Sequence, residues 1–284
     1  ALRMLDGATE GPALGAPQGT SLRDPQLLLR YRHPQDSGRA VALLERALPE
    51  LSELAMMTTD ALRLGRSERV RGANPTRSAV APLLAAVGVT EFELYVGGAD
   101  PQRALVLPGD PVSVVLGRAV AVPLDEATRF SLVRSALLSL RGCAPMVTQD
   151  PDAVTNLALA AMAYAELPLA AGHGRYEALV KPVGKPTSRK TRRAVAESAR
   201  ALAQSPELLE ELGQATRAIR ATARRGALAV SGAVTAAFED LGRVLGPGVD
   251  ARAALRSDAG RELMLFCVSD ALAQVARETG VDRR

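Results

Sequence analysis

The apolar residues of this chain recur mostly at intervals of three and four positions, the spacing that places them on one face of an α-helix. Val41, Leu44 and Leu48 are one example. Leu, Ala and Arg, which favour helices, are also abundant. The pattern therefore predicts a largely helical fold. Predicted helices cover about residues 25–32, 37–48, 49–57, 75–88, 124–140, 154–165, 190–204, 207–225, 227–245 and 257–279.

Residues 91–118 carry a strand pattern instead. Phe92, Leu94 and Val96 alternate with other residues, 112–116 is a short apolar run, and Pro-Gly-Asp-Pro at 108–111 is typical of a turn. Asp125 is a candidate cap for the helix that follows. We predict an α+β fold, mainly α-helical, with a small β-sheet or hairpin near residues 91–118.

Glycine and proline indicate where these elements stop. Residues 1–24 are rich in Gly and Pro, which predicts a linker or an extended arm, and the similar stretch 167–190 predicts a loop. Gly65 is expected to cap a helix end, and Gly226 to break or kink a long helix. A helical N-terminal region is predicted over 25–90, and a domain packed against it over 91–284.

Composition limits the class of protein. The chain has 284 residues, 47% of them hydrophobic, and only 3% aromatic, so Leu, Ala and Val must build its core. No apolar run reaches the roughly 18 residues that a membrane span needs. The net charge of +4 is mild for this length and favours no particular partner. No signal-peptide pattern opens the chain, but a chain that begins with Ala can be a piece of a longer one, and a missing signal then proves nothing. A cytoplasmic location is expected.

Few residues suit metal or nucleophilic chemistry. His33 and His173 are the only histidines and stand in different predicted loops, His33 as a turn residue and His173 as an exposed one. A catalytic zinc usually has three protein ligands, so a zinc site is not expected. Cys143 and Cys267 share no ligand spacing. They are interpreted as buried thiols of a reducing compartment, with a long-range disulfide as the alternative.

Strands at 92–96 and 112–117, followed by the helix at 124–138, resemble the core of gluzincin peptidases of the CAAX-protease type. In that family the helix carries His-Glu-x-x-His, in which two His bind zinc and the Glu activates water. The corresponding positions here are Arg134, Ser135 and Leu138. Arginine repels a dication and leucine cannot bind one, so the resemblance implies a metal-free gluzincin-like core.

A second motif extends this resemblance. The family supplies its third ligand from a later Glu-Ala-Asp-Arg-x-Gly-like helix, which residues 221–226 match. Arg224 and Gly226 fit the motif, whereas Ala221 stands at the ligand Glu and Ala223 at the Asp. The resemblance therefore implies that all metal-ligand positions are lost together, which predicts no cofactor and no metal.

Four further segments, which are mainly apolar packing patterns, lie at residues 32–34, 90–95, 225–232 and 262–270. Through them the chain from about residue 25 also resembles the C-terminal region of large myxobacterial tetratricopeptide-repeat proteins, which would make it bacterial. This likeness supplies no activity.

Two basic groups are candidate contacts for anions or partners. The first has no acid among its members: Lys181, Lys185, Arg189, Lys190, Arg192 and Arg193. The second is expected on a helix: Arg217, Arg220, Arg224 and Arg225. Such groups can neutralise phosphates, but they also occur on ordinary solvated surfaces.

Three functional hypotheses remain. The first is a non-enzymatic protein-interaction or scaffold domain, a pseudoenzyme, in which Arg134 pairs with an internal carboxylate or anchors one from a ligand. The second is an enzyme of unrelated chemistry, which would bring titratable groups together in one pocket. The third is binding of nucleic acid or an acidic partner through the basic 181–225 region, although few aromatics are present for base stacking.

Overall fold

The computed structural model describes residues 19–169 and 175–280. Within them the predicted α+β fold, mainly helical with a small sheet, is confirmed. The helices are α1 (Pro25–Tyr31), α2 (Arg39–Ala47), α3 (Pro75–Ala86), α4 (Glu126–Leu140), α5 (Pro145–Thr148), α6 (Pro151–Tyr164), α7 (Glu177–Gly184), α8 (Arg189–Ala199), α9 (Leu208–Ser231), α10 (Val234–Leu245), α11 (Ala251–Arg256), α12 (Asp258–Cys267) and α13 (Asp270–Glu278). The strands are β1 (Arg69–Val70), β2 (Phe92–Val96), β3 (Ala104–Leu107) and β4 (Val112–Leu116).

Helix starts follow a simple local rule. Asp24, Asn74 and Asp150 each precede a proline, and each side chain accepts a hydrogen bond from a backbone N–H of the first turn. Proline fits this position because the N–H that it lacks would have no partner inside the helix. These three starts are therefore encoded within a few residues of sequence.

The chain forms two compact units. The sheet unit consists of 1–32, 64–137 and 223–284, and the helical unit of 33–63 and 138–222, as far as these ranges are described.

The sheet unit contains all four strands, in the order β1-β2-β4-β3. β3 and β4 are antiparallel and flank the predicted turn, whereas β2 pairs with β4 in parallel, with Leu94 opposite Val114. Both of these side chains are fully buried. Helices α10, α11 and α12 pack together in this unit, and α13 packs against α1.

The helical unit is organised around α6, which contacts α7 and α8. Helix α2 also packs against α8. The contacts bury apolar side chains from each helix, among them Leu44, Leu159, Val183 and Val195. The helix predicted at 154–165 is confirmed as part of α6, and Leu157 through Met162 are all buried.

The stretch after Pro49 is not the predicted helix. It forms one 3-10 turn at Pro49–Leu51 and then a series of turns, with Met56 at a φ of 58°. Of the three apolar positions behind the prediction, Leu51 and Met57 are fully buried, whereas Leu54 is exposed. The apolar spacing thus indicated burial only in part, and successive turns can satisfy that spacing as a helix does.

The predicted helix end at Gly65 is also wrong. Residues 60–63 are turns, and Arg63 has a φ of 56°. These turns are closed by the Thr58 hydroxyl oxygen, which accepts from the Ala61 N–H at 3.2 Å, and by the Asp60 carbonyl, which accepts from the Arg63 N–H at 3.0 Å. The Gly65 N–H instead donates to Oε2 of Glu68 at 2.9 Å. The sequence also gave no indication of the short strand β1.

Part of the predicted loop at 167–190 is helix α7, which contains Pro182. A proline inside a helix removes one backbone hydrogen bond. Burial of Val183 against the neighbouring helices compensates, which shows packing overriding local propensity. His173, predicted as an exposed loop residue, lies outside the described residues.

Two predictions in the C-terminal third are corrected. Helix α9 runs through Gly226 without a break. The predicted helix 257–279 is two helices, and 251–256 forms a further one before them. Ser257 and Ser269 cap α12 and α13 by accepting backbone hydrogen bonds from Gly260 and Leu272.

Candidate functional site

Helix α4 carries three of the four positions at which the resemblance places metal chemistry. Asp125 starts it as predicted, since its carboxylate accepts a hydrogen bond from the Thr128 N–H at 2.7 Å. Arg134, Ser135 and Leu138 are all buried. The side chain at each of these positions has a structural environment of its own.

Arg134 belongs to a buried ion cluster of the sheet unit. Its Nε lies 3.1 Å from Oδ2 of Asp240 on α10, and the Nε and Nη2 atoms of Arg224 on α9 both lie 3.0 Å from the same oxygen. The exposed fractions of the three side chains are only 8%, 9% and 5%. This matches the alternative in which Arg134 pairs with an internal carboxylate.

The charges of the cluster hold Asp240 ionised. Burial alone would raise the pKa of this carboxyl, but the guanidinium groups of Arg134 and Arg224 outweigh that effect and hold its pKa below the ordinary value. Burial lowers the pKa of Arg224, and Asp240 opposes that change. One carboxylate thus compensates two buried cations, an arrangement sensitive to its loss.

Ser135 connects α4 to the edge strand of the sheet. Its hydroxyl oxygen accepts a hydrogen bond from the Val106 N–H of β3 at 2.9 Å. The hydroxyl hydrogen faces backbone carbonyls of its own helix, with Ser131 O at 2.7 Å and Leu132 O at 3.1 Å. The Ser135 side chain thus links α4 directly to the buried edge strand β3.

The other two positions that the resemblance compares with metal-site residues carry no polar side-chain atom. Leu138 is fully buried, and Ala221 on α9 is half-buried. Among the described residues, no group of three or more His, Cys, Asp or Glu could hold a metal ion.

The thiols and the described histidine are poor nucleophiles or ligands. Burial raises the pKa of Cys143 to about 12 and that of Cys267 to about 11, so both are protonated near neutral pH. Both cysteines are free. His33 Nδ1 accepts a hydrogen bond from the Gln35 N–H at 3.2 Å, which suits the predicted turn.

The second basic group does not form one surface. Arg224 is buried in the ion cluster, and Arg225 is half-buried with its guanidinium carbon 5.3 Å from the centre of the Phe266 ring. In the helical unit, the buried Arg220 donates to the Gln149 carbonyl. Only Arg217 of this group is exposed.

The first basic group, in contrast, stays almost entirely at the surface of the helical unit. Arg192 pairs with Glu166 and lies over the Tyr164 ring, 5.2 Å from its centre. The other five members are exposed, and none forms an ion pair within 19–169 and 175–280. They are Lys181, Lys185, Arg189, Lys190 and Arg193.

Glu50 occupies the N-terminus of α8, beside these cations. Its carboxylate accepts hydrogen bonds from the backbone N–H and the hydroxyl of Ser188 and from the Thr191 hydroxyl. Burial acts to raise the pKa of Glu50, and these three hydrogen bonds together lower it below its ordinary value. The partial positive charge at the N-terminus of α8 is thus already compensated by a carboxylate of the protein itself.

A further network of the helical unit had no signal in the sequence. Asp36 is fully buried and accepts two hydrogen bonds from the Arg141 guanidinium, which also donates to Glu45. The Thr222 hydroxyl donates to the same Asp36 carboxylate. Asp36 and Arg141 are 105 positions apart, so no local spacing could have predicted the pair.

Titratable groups also meet in an open groove of the sheet unit, with a volume of about 580 Å³. The Asp250 carboxylate there caps α11 by accepting from the Ala253 N–H at 2.7 Å. The lining residues are Thr235, Glu239, Arg243, Val249, Asp250, Ala251 and Arg252.

None of the described helices has the length and apolar character required to span a bilayer. Comparison of the chain with protein-family models, with curated proteins and with solved structures finds no match in any of the three.

Proposed function

We propose that this chain is a non-enzymatic protein-interaction or scaffold domain on a framework similar to that of gluzincin peptidases. Its mechanism would be binding alone, with no metal or cofactor. The Arg134–Asp240–Arg224 cluster is the observation that carries the proposal.

The cluster supports the proposal in two ways. Arg134 comes from the helix that resembles the His-Glu-x-x-His element, and Arg224 from the one that resembles the later ligand motif. Their shared carboxylate supports the juxtaposition that the resemblance implies. Each arginine is also engaged inside the protein, so a substrate would have to displace a buried ion pair to reach it.

A zinc-loading experiment tests this proposal. The purified chain is incubated with excess zinc, freed of unbound metal by gel filtration, and analysed for zinc by mass spectrometry. Hydrolysis of an unfolded protein such as casein is measured on the same sample. We expect far less than one zinc per chain and no hydrolysis above the buffer blank. One retained zinc per chain, with hydrolysis that a chelator stops, would defeat the proposal.

We also propose a cytoplasmic location. The support is the state of Cys143 and Cys267, since free thiols are usual in a reducing compartment.

The groove beside α10 and α11 favours a second candidate function, an enzyme of unrelated chemistry. Carboxylate and guanidinium groups face one concave space there, an arrangement that active sites share. Free amino acids, which carry both charges, are suitable probes. A rise in Tm with one of them that disappears in Glu239→Gln would favour this candidate. Equal responses of Glu239→Gln and the parent protein would remove it.

A further inference from the structure

Five exposed cations lie within 13 residues of the helical unit, from Lys181 to Arg193, and we call them the basic surface. They are Lys181, Lys185, Arg189, Lys190 and Arg193. We propose that this surface docks a partner protein through an acidic segment that also carries apolar side chains. The proposal rests on the proposed function, an interaction domain, and specifies the chemistry of its partner.

No acid forms an ion pair with a member of the basic surface within residues 19–169 and 175–280, and Glu50 is the one carboxylate that the structure shows at the N-terminus of α8 beside them. The sequence has no Asp or Glu between Glu177 and Glu197. Glu166 pairs with Arg192, and the Glu50 carboxylate is hydrogen-bonded to Ser188 and Thr191. The five cations therefore repel one another, and an anionic partner would relieve that repulsion.

The backbone below the basic surface is held in place before any partner binds. Helices α7 and α8 both pack on α6 through the buried side chains of Val183 and Val195. The Thr187 hydroxyl donates to the Val183 carbonyl at 2.6 Å and closes the corner between the two helices. A pre-ordered surface loses less entropy on binding than a mobile one.

Gly184 and Arg192 fix the same corner against one aromatic ring. A Cβ on Gly184 would lie 2.6 Å from Cε2 of Tyr164, so the end of α7 is in direct contact with the ring. The Arg192 guanidinium lies over that ring as well. The ring is half-buried, and a nucleic-acid base would have to displace the Arg192 guanidinium to stack on the face that it occupies.

Because of Glu50, we expect the cationic side chains of the basic surface to bind the partner, and not the backbone N–H groups at the start of α8. Since the Glu50 carboxylate accepts from the Ser188 N–H at the start of α8, a ligand phosphate would meet a negative charge there. The cations extend away from this point along both helices. Such a distribution suits several carboxylates spread along a protein segment.

Apolar groups beside and among the cations favour a protein over duplex nucleic acid. Leu179 and Val180 directly precede Lys181, Pro186 follows Lys185, and all three are half-buried. Phosphates offer these side chains no apolar contact, whereas an acidic segment with Leu or Phe would bury them and pair its carboxylates with the cations.

A fluorescence-polarisation titration of the full chain tests the proposal. The probe is a labelled peptide of about 12 residues that repeats Glu-Asp-Leu, in about 50 mM NaCl. A peptide repeating Gln-Asn-Leu and a labelled DNA duplex of similar size are measured alongside. We expect the acidic peptide to bind more tightly than both and to weaken as salt is added.

Two variants of equal net charge separate the basic surface from general attraction. The first variant reverses the charge of three members of the basic surface by the changes Lys185→Glu, Arg189→Glu and Arg193→Glu. The control variant reverses the charge of three exposed arginines elsewhere. The control changes are Arg66→Glu, Arg71→Glu and Arg256→Glu. We expect at least about a tenfold loss of affinity in the first variant and less than about twofold in the control. Circular dichroism shows whether both variants keep their helices.

Each opposing result has a defined meaning. If the duplex binds more tightly than the acidic peptide, the surface is assigned to nucleic acid. If the two variants lose the same affinity for the peptide, the attraction depends on net charge alone. No binding of the acidic peptide at low salt would also overturn the inference. These results leave the zinc and hydrolysis measurements unaffected, so the proposed function fails or stands separately.

Discussion

Asp240 faces two guanidinium groups in a part of the sheet unit that water hardly reaches. The exposed fraction of its side chain is 9%, and both Arg134 and Arg224 contact the same carboxylate oxygen. Two arginines with one carboxylate leave a net positive charge in a region of low polarity. The stability of this region should therefore depend on Asp240 more than on either arginine.

The first prediction is that Asp240→Asn destabilises the protein by about 3–5 kcal/mol, because both cations lose their charge compensation. Urea unfolding followed by circular dichroism measures the change. The matched control is Asp258→Asn, whose carboxylate pairs with Arg261 in solvent and should matter little.

Removing one guanidinium should also rescue the first variant in part. Arg134→Met in the Asp240→Asn background leaves one buried cation where there were two, and fills a similar volume. If Asp240→Asn unfolds no more easily than Asp258→Asn, the ion cluster does not have the role assigned to it.

The second prediction concerns Ser135, whose hydroxyl accepts from the Val106 N–H of β3. Ser135→Ala removes this buried acceptor and should lower the free energy of unfolding by about 1–3 kcal/mol. Ser198→Ala is the matched control, because that hydroxyl bonds only a carbonyl of its own helix, Ala194, and is half-buried. A similar small effect in both variants would show that Ser135 is not needed to hold the edge strand.

Helix α9 illustrates how an element can depart from its local propensity. A glycine inside a helix is less favourable than alanine by about 1 kcal/mol, which is why Gly226 predicted a break. The helix continues because Gly226 is buried where other side chains approach it closely. A Cβ there would lie 2.8 Å from Leu137 Cδ1 and 3.0 Å from Tyr31 Cε2.

The third prediction compares the two glycines of α9. Gly226→Ala should destabilise the protein by about 1–3 kcal/mol, since the methyl group overpacks its site. Gly213→Ala should stabilise it by about 0.5–1 kcal/mol, because the nearest atom to the new Cβ is Nη1 of the flexible Arg217 at 3.4 Å. Melting curves of both variants measure the difference, and shifts of the same sign would contradict this account.

At the scale of the molecule, four acidic groups link stability to pH in the same direction, and Asp240 and Glu50 are the two that take part in the networks described above. The pKa values of Asp240 and Glu50 are both lower than their ordinary values in the folded protein. A carboxylate with a lowered folded pKa contributes stability above its unfolded pKa, and that contribution is lost as pH falls through the folded pKa.

The fourth prediction is therefore that Tm depends little on pH through these carboxyl groups above about pH 5. Below about pH 4 their protonation should lower Tm. Tm is measured by circular dichroism across this range. Asp240→Asn should flatten the acid limb of the curve because its side chain no longer titrates. Asp258→Asn should keep that limb, and an unchanged slope in Asp240→Asn would show that protonation occurs elsewhere.

The sequence predicted most of the elements because their signals are local. Caps such as Asn74 and Asp125, the turn at 108–111 and the apolar run at 112–116 each act over a few residues. Prediction from the sequence failed where tertiary packing opposed local helix propensity, as at Pro182 inside α7. Local spacing also could not separate a helix from a series of turns after Pro49.

What the sequence determined by itself was thus the helical character of the chain, the small sheet and the residue types available for chemistry. Only the tertiary structure decided that Arg134 meets Asp240 and that Arg141 meets Asp36. It also decided which cations are paired or buried and which remain on the basic surface. The physical reason is range: caps and turns form between close neighbours in the chain, whereas ion pairs and burial depend on residues that only folding brings together.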